Sequence, residues 1–432
     1  MISIFKSETI PNNARGFYVA IDAIEKSEEV DIWYRFDGVE KGWAENRLSD
    51  DTIMTQFYDE ISPFIFDFYD KKGIMIKNPG LGTVDEAEGK WFLIYISEEK
   101  NQHQLFQYVY DSPANEETKQ YLYSIDVLTS EDEILDNLTS KFCLDEIKEA
   151  DKDQLIQLFD NTFPCNGCYV GQYSVGQGNL SAICDPGGVP LTYFDVGGGC
   201  YRNYKTYKTP LRLCFSKQPL IIISHWDMDH IETARRDIVL NGKMSKFLSV
   251  NWIAPNQKIS PSYTKLAHTI SAVGKLFKWP SSITQLSFPF GQIIKCTGPG
   301  KNHSGLALNI SLEGTHKFLK VLLPADAAYV YIPNIGKNKF DAIVATHHGA
   351  EFDSNNSPVC IPSINNAICY SYGKGNCYKH PKTNAINAHK NAGWLDNKET
   401  INGSVAINNL MSITHQPCNC KYCDLRFIQQ FT

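Results

Sequence analysis

The sequence predicts a mixed α/β (α+β) chain in two domains, and three observations carry that expectation. The 432 residues are 43% hydrophobic and only 21% charged, a globular composition with more chain than one core ordinarily serves. Short runs rich in Val, Ile, Phe and Tyr, which favour strands, are interspersed with stretches whose apolar residues recur every three or four positions, which favour helices. The character of the chain changes near residues 161–164, so domains are expected at 1–164 and 165–432.

Composition narrows the function before any motif is read. A formal net charge of -7 argues against broad non-specific binding of nucleic acid and leaves room only for a local basic groove. No run of about 18 apolar residues occurs. Lys6, Glu8 and Asn12 break up the start of the chain, so no signal-peptide core is expected. A soluble cytoplasmic protein with no membrane partner is the expectation. Thirteen cysteines, an odd number without a secretory signal, fit reduced thiols and metal ligation better than a disulfide framework.

In the first domain, strands are expected at 15–23, 30–36, 90–96, 104–110 and 120–127. A helix is expected over 52–69, where Ile53, Phe57, Ile61 and Phe64 or Ile65 recur at helical spacing behind Asp50 and Asp51. Two more helices are expected between 130 and 159, on Ile134, Leu138, Ile147, Leu155 and Leu158. No catalytic constellation stands out, so this half reads as a packed unit; a binding or regulatory role is the alternative, its partner unspecified.

The second domain opens at Tyr169 with glycine-rich strand sequence, a strand at 180–184 and a turn at 185–188. The next strand, 191–194, ends at Asp195 and the run Gly197, Gly198 and Gly199, where bare backbone can approach a site closely. Residues 220–223 are four apolar residues in a row, and His225, Asp227, Asp229 and His230 follow within six positions. Alternation at a strand end lets His225, Asp227 and Asp229 converge while Trp226 and Met228 turn into packing, and His230 joins them if a helix starts there. The runs 318–323, 340–345 and 367–372 likewise stop just before Asp326, before His347 and His348, and before Lys379 and His380. One such turn is chance; repetition at successive strand ends points to a metal site.

In order and spacing, Asp195, His225-x-Asp227-x-Asp229-His230, Asp326, His347-His348-Gly349 and His380-Pro381 resemble the metallo-β-lactamase fold over residues 169–413. The glycine-rich first strands, the turn at Asp326, the paired histidines and the late His-Pro look most like the branch of the DNA-uptake protein ComEC. The resemblance implies an αββα sandwich with a one- or two-metal site at the sheet edge, and metal-dependent hydrolysis. By position, His225 and Asp227 with His303 hold one ion, and Asp229 with His230 and His347 the other. Asp326 bridges them, Asp195 orients an imidazole, and Asp229 takes part in catalysis. His348 can replace His347; adjacent histidines are not ranked by sequence. Asp227, where many members have histidine, makes the site harder, so manganese is tolerated beside zinc.

Two basic stretches bear on the substrate. Arg202, Lys205 and Lys208 alternate with Tyr201, Tyr204 and Tyr207, and Lys374, Lys379, Lys382 and Lys390 flank His380. Solvated loops account for each alone. Together with the resemblance, Arg202, Lys205 and Lys379 suggest an entrance for nucleic acid or a nucleotide, with His380 as general acid or phosphate-binding group. His415, Cys418, Cys420 and Cys423 have the spacing of a structural zinc site, an additional ion beyond the two catalytic ones. The expected function is that of a phosphodiesterase or nuclease. A hydrolase of small esters or lactones, and a sensor or partner-binding protein with a structural metal, are the alternatives.

Overall fold

In a computed structural model the chain forms two compact units, Met1–Ile147 with Lys258–Gly274, and Lys148–Gln257 with Lys275–Thr432. The structure describes residues 1–26, 32–48, 54–70, 73, 75, 87–160, 167–207, 209–313, 318–351, 353–362, 366–407, 423 and 429–431. The chain is of mixed α/β class, with helices in the minority.

The first unit is built on seven antiparallel strands. Their order is Ile2–Lys6, Thr118–Val127, Trp91–Ser97, Arg15–Lys26, Ile32–Glu40, Phe64–Asp70 and Gln104–Val109. The last of these pairs back onto Thr118–Val127, so six strands close on themselves as a barrel and leave no free edge there. Strand alternation then divides the side chains. Phe17, Val19 and Ile21 turn inward to meet Phe36, Phe66, Phe92 and Ile125. Tyr18 and Ala20 turn outward under Leu48, Phe57, Leu138 and Phe142.

Two sequence expectations change in this unit. The helix expected over 52–69 is the helix Met54–Glu60 followed by the strand Phe64–Asp70. Pro63 cannot continue a helix, and Phe66 and Phe68, two apart, both line the barrel interior. The division also falls before the expected boundary at 164, and the helix Pro261–Ala272 belongs to the first unit. Its partners are two buried carboxylates on adjacent strands: Tyr263 donates to Asp22 at 2.8 Å, and the Ser262 hydroxyl to Asp37 at 2.9 Å. No local periodicity announces such a long-range attachment.

The second unit holds two sheets. The first runs Leu276–Lys278, Trp252–Ala254, Leu220–Ile222, Pro190–Phe194, Ser181–Cys184, Tyr169–Gln172, Val405–Ile407 and Gln429–Phe431. The second runs Gln285–Phe288, Gly291–Lys295, Leu306–Glu313, Phe318–Leu323, Ala342–Val344, Ala367–Tyr370 and Asp396–Glu399. Each contains an antiparallel meander that passes into parallel strands. Val170, Ile183, Phe194 and Ile222 of the first sheet share one core with Leu308, Val321, Ala342 and Val344 of the second. Tyr370, Ile368 and Ile343 pack on the other face of the second sheet with Trp394 and Ile386, the latter from the helix Thr383–Asn391.

Among the described residues no helix is long and apolar enough to cross a membrane, and the described cysteines are free thiols. His415, Cys418 and Cys420 of the expected tail zinc site lie outside the described residues, as does Cys165; Cys423 is described and half-buried.

Candidate metal centre

The site is assembled where parallel strands end, the place at which open α/β sheets offer backbone and side chains to a ligand. Leu220–Ile222 lies inside the first sheet, and the chain leaves it through Ser224 and His225 before the helix Met228–Asn241 begins. Asp227 is that helix's N-cap, its carboxylate accepting from the Met228 N–H at 2.6 Å. The cap fixes Asp229 and His230 in the first turn. Backbone of the glycine run presses against this turn: Gly198 N–H donates to the Asp229 carbonyl at 3.0 Å, and Val196 N–H to that of His230 at 2.9 Å. A Cβ at Gly197 would stand 1.8 Å from the Asp229 carbonyl oxygen, so no side chain fits there.

Among the described residues two donor groups result, and both use His230. His225, His230 and Asp326 form one; Asp229, His230 and His348 form the other, each with its ligand atoms within 4.8 Å of one another. His230 Nε2 lies 3.1 Å from Asp326 Oδ1, and His348 Nε2 lies 3.2 Å from Asp229 Oδ2. His225 Nε2 is 4.0 Å from Asp326 Oδ2.

The second nitrogen of each ring settles which tautomer it holds when neutral. His230 Nδ1 donates to Asp195 Oδ2 at 2.8 Å, and His348 Nδ1 to the Ser371 carbonyl at 2.7 Å. Ser224 Oγ gives its proton to Asp195 at 2.9 Å and so accepts from His225 Nδ1, also at 2.9 Å. All three rings therefore turn Nε2 toward the carboxylates, and while the rings are neutral those three buried Nε2 atoms have no hydrogen-bond partner. Leaving buried imidazole nitrogens unsatisfied costs stability, and two things can meet them: a proton shared with a carboxylate, as the short approaches of His230 and His348 allow, or a cation, which alone serves His225 as well. Nitrogen lone pairs beside carboxylate oxygens are the donor set of a divalent cation, and the residues present fit one.

Without an ion the centre is strongly polarised. Burial, then the neighbouring His230, holds His225 well below the usual imidazole range, in its neutral form. Burial works against charge on His230, yet Asp326 and Asp195 lift its pKa well above the ordinary value. His348 is raised against the same burial penalty by Asp326 and Asp229. Burial alone would raise Asp229, but His230 and His348 hold it at about 2. Asp326 is likewise depressed by His230, His347 and His348 in spite of its burial.

The structure thus brings together His225, Asp229, His230, Asp326 and His348, with Asp195 behind them. Asp227 and His303, expected as ligands, fall outside both donor groups. Asp227 caps the helix; His303 accepts from the Ala328 N–H at 3.3 Å and sits 3.5 Å from Asp353. His347 stands alongside, its Nε2 3.6 Å from Asp326 and its Nδ1 bonded to Asp353 at 2.5 Å. His380 is buried beside the histidine pair, its ring centre 5.7 Å from that of His347 and 6.3 Å from that of His348. Burial, then His347 and His348, keeps its pKa well below the ordinary value. Arg202 is half-buried, and Lys205 and Lys379 are exposed. Asn203 accepts from the Cys377 N–H at 2.8 Å, which joins their two loops.

Sequence reasoning missed Asp353, Ser224, Asn179 and Ser371. Asn179 donates to Asp195 at 2.7 Å and accepts from Gln172, which also donates to the Ser371 hydroxyl; both Gln172 bonds are 3.0 Å. That line of side chains connects the groups holding His230 and His348. Its small polar residues carry no motif, and only Ser224, next to His225, had a positional cue.

Compared with known proteins, the chain matches no protein-family profile and no curated protein. Among solved structures it is similar to one described as "Crystal Structure of a New Diphosphatase from the PhnP Family". The likeness is 10% identical with a TM-score of 0.28, and covers 54% of this chain and 86% of that one. A likeness of that size carries neither fold nor activity across.

Proposed function

We propose that the second unit is a metal-dependent hydrolase of the metallo-β-lactamase type, of the ComEC-like branch, acting on a phosphodiester in nucleic acid or a nucleotide. The observation that carries the reading is the set of three buried imidazoles, each held through Nδ1 and each turning an unpartnered Nε2 toward Asp229 and Asp326. The two sheets over one core, with these residues at their strand ends, suit the αββα arrangement that the sequence motifs resemble.

Zinc or manganese, when bound, supplies Lewis acidity at a phosphoryl oxygen and acidifies water at neutral pH. His225, His230, His348, Asp229 and Asp326 would hold the ions. The chain's other groups have separate tasks. Asp195, Ser224 and Ser371 fix the rings in the ligand tautomer. His380, beside the donor set, is the group to meet the substrate. Arg202, Lys205 and Lys379, on loops joined through Asn203, give an otherwise acidic protein a local basic rim suited to an anionic substrate.

The deciding experiment measures metal content by elemental analysis in the unsubstituted protein and in Asp326→Ala. Alongside it, cleavage of a chromogenic phosphodiester and of single- and double-stranded nucleic acid is assayed with zinc, manganese and magnesium. Metal lost with Asp326, and ion-dependent diester cleavage lost with it, support the proposal. Cleavage of aryl esters or lactones alone would overturn the substrate, and a protein with neither metal nor cleavage would overturn the hydrolase.

A further inference from the structure

One buried histidine within this centre and one beside it have opposite partners, and the contrast assigns them different work. His230 gives its Nδ1 proton to a carboxylate, which leaves Nε2 as a lone pair. His380 has its Nδ1 3.3 Å from the side-chain nitrogen of Gln177.

Which end of that amide faces the ring is decided by its other end. Gln177 Oε1 accepts from the Gly373 N–H at 3.4 Å, so the NH2 end faces His380. An amide nitrogen donates and does not accept. His380 Nδ1 is therefore the unprotonated nitrogen, and the ring proton sits on Nε2.

Both partners are held in place. Gln177 is 1% exposed, and its own N–H donates to the Thr206 hydroxyl at 2.9 Å. Gly176 and Gly373 are packed so closely round Thr206 that a Cβ on them would come within 2.5 and 2.6 Å of that hydroxyl. The His380 backbone is gripped on two sides by one side chain: its N–H donates to Asn376 Oδ1 at 2.9 Å, and its carbonyl accepts from Asn376 Nδ2 at 2.8 Å. His380 belongs to neither donor group.

We infer that Gln177 is a positioning residue that keeps the His380 proton on Nε2, excluding the ring from the metal ligands and presenting it as a neutral hydrogen-bond donor to a substrate oxygen. What the donor meets rests on the hydrolase reading; the position of the proton does not. A carboxylate at position 177 would reverse the tautomer, as Asp195 does for His230.

The test is a long-range proton–nitrogen correlation spectrum of the full-length, metal-free protein with labelled histidine, the His380 signals being assigned by their loss in His380→Gln. Nε2 protonated and Nδ1 bare is the expected result. Gln177→Glu moves the proton to Nδ1, and Gln177→Met gives a mixture of the two forms. In the metal-loaded protein, kcat on the chromogenic diester falls about 100-fold in Gln177→Glu, the scale of losing one transition-state donor, with metal content unchanged. A proton on Nδ1 in the unsubstituted protein, or a tautomer indifferent to Gln177→Glu, overturns the inference while diester cleavage, if present, leaves the hydrolase standing. The expected tautomer in a protein without hydrolase activity supports the role of Gln177 and overturns the hydrolase alone.

Discussion

Asp195 and His230 are both wholly buried, and 2.8 Å separates the carboxylate oxygen from Nδ1 of the ring. Asp195 also accepts from Asn179 Nδ2, the Ser224 N–H and the Ser224 hydroxyl, so it is held rigidly as it holds the histidine. Replacing it by asparagine keeps the shape but can turn an NH2 toward Nδ1 and move the ring proton onto Nε2. Metal affinity in Asp195→Asn should drop about 10- to 100-fold, as for other outer partners of ligand histidines. Competition with a calibrated chelator measures it; an unchanged dissociation constant would count against the ligand role of His230.

The two adjacent histidines should separate on substitution. His348 turns an unpartnered buried Nε2 into a donor group, while His347 is tied to Asp353 and lies outside both groups. His348→Ala should lose bound metal, and His347→Ala should retain it, by elemental analysis after dialysis. The reverse pattern would exchange their roles.

Gly197 is a packing requirement of the site. A methyl there would meet the Asp229 carbonyl at 1.8 Å and the Asn179 carbonyl at 2.6 Å, both backbone. Gly197→Ala should cost about 3 kcal/mol or more in urea unfolding, since neither chain segment can yield cheaply. Gly336, where an added Cβ would meet nothing within 4 Å, is the control, and its alanine variant should stay within about 0.5 kcal/mol of the parent.

In the first unit, burial and then the neighbouring Asp22 raise Asp37 from 3.8 to about 7. A carboxyl whose folded pKa is raised contributes stability that is full below its unfolded value and lost as pH rises through the folded value. Thermal stability should therefore decline between about pH 4 and pH 7 and level off above, by up to a few kcal/mol. Asp37→Asn, which keeps an acceptor for Ser262, should flatten that slope. An identical slope in the variant would place the titrating group elsewhere.

Much of the candidate centre was legible because strand ends are conspicuous: an apolar run that stops at histidine or aspartate marks His225, Asp326 and the His347–His348 pair in sequence, without ranking the two. Asp227, expected as a ligand, caps the helix Met228–Asn241 and stands outside both donor groups. A helix N-cap and a metal ligand both call for a carboxylate just before a helix, and composition does not distinguish them. His303 also stands outside both groups, and its position in the sequence says nothing of its neighbour Asp353. In the first unit, helical spacing across Ile61 and Phe64 suggests one long helix, although Pro63 between them decides the matter. The barrel closure and the docking of the helix Pro261–Ala272 depend on pairings between distant residues, which no window of local sequence contains.

The donors of the centre come from strand ends of both sheets, with His230 and Asp326 roughly 100 residues apart along the chain. An ion held by both would act as a reversible cross-link, closing a loop as long as many disulfides close without any oxidation. Such a clasp forms only after each half of the sandwich has found the other, so the unfolded chain gains little from it. Metal supply would then be a handle on the stability of the folded protein: each tenfold rise in free ion above the dissociation constant would add about 1.4 kcal/mol to the resistance of the sandwich to opening.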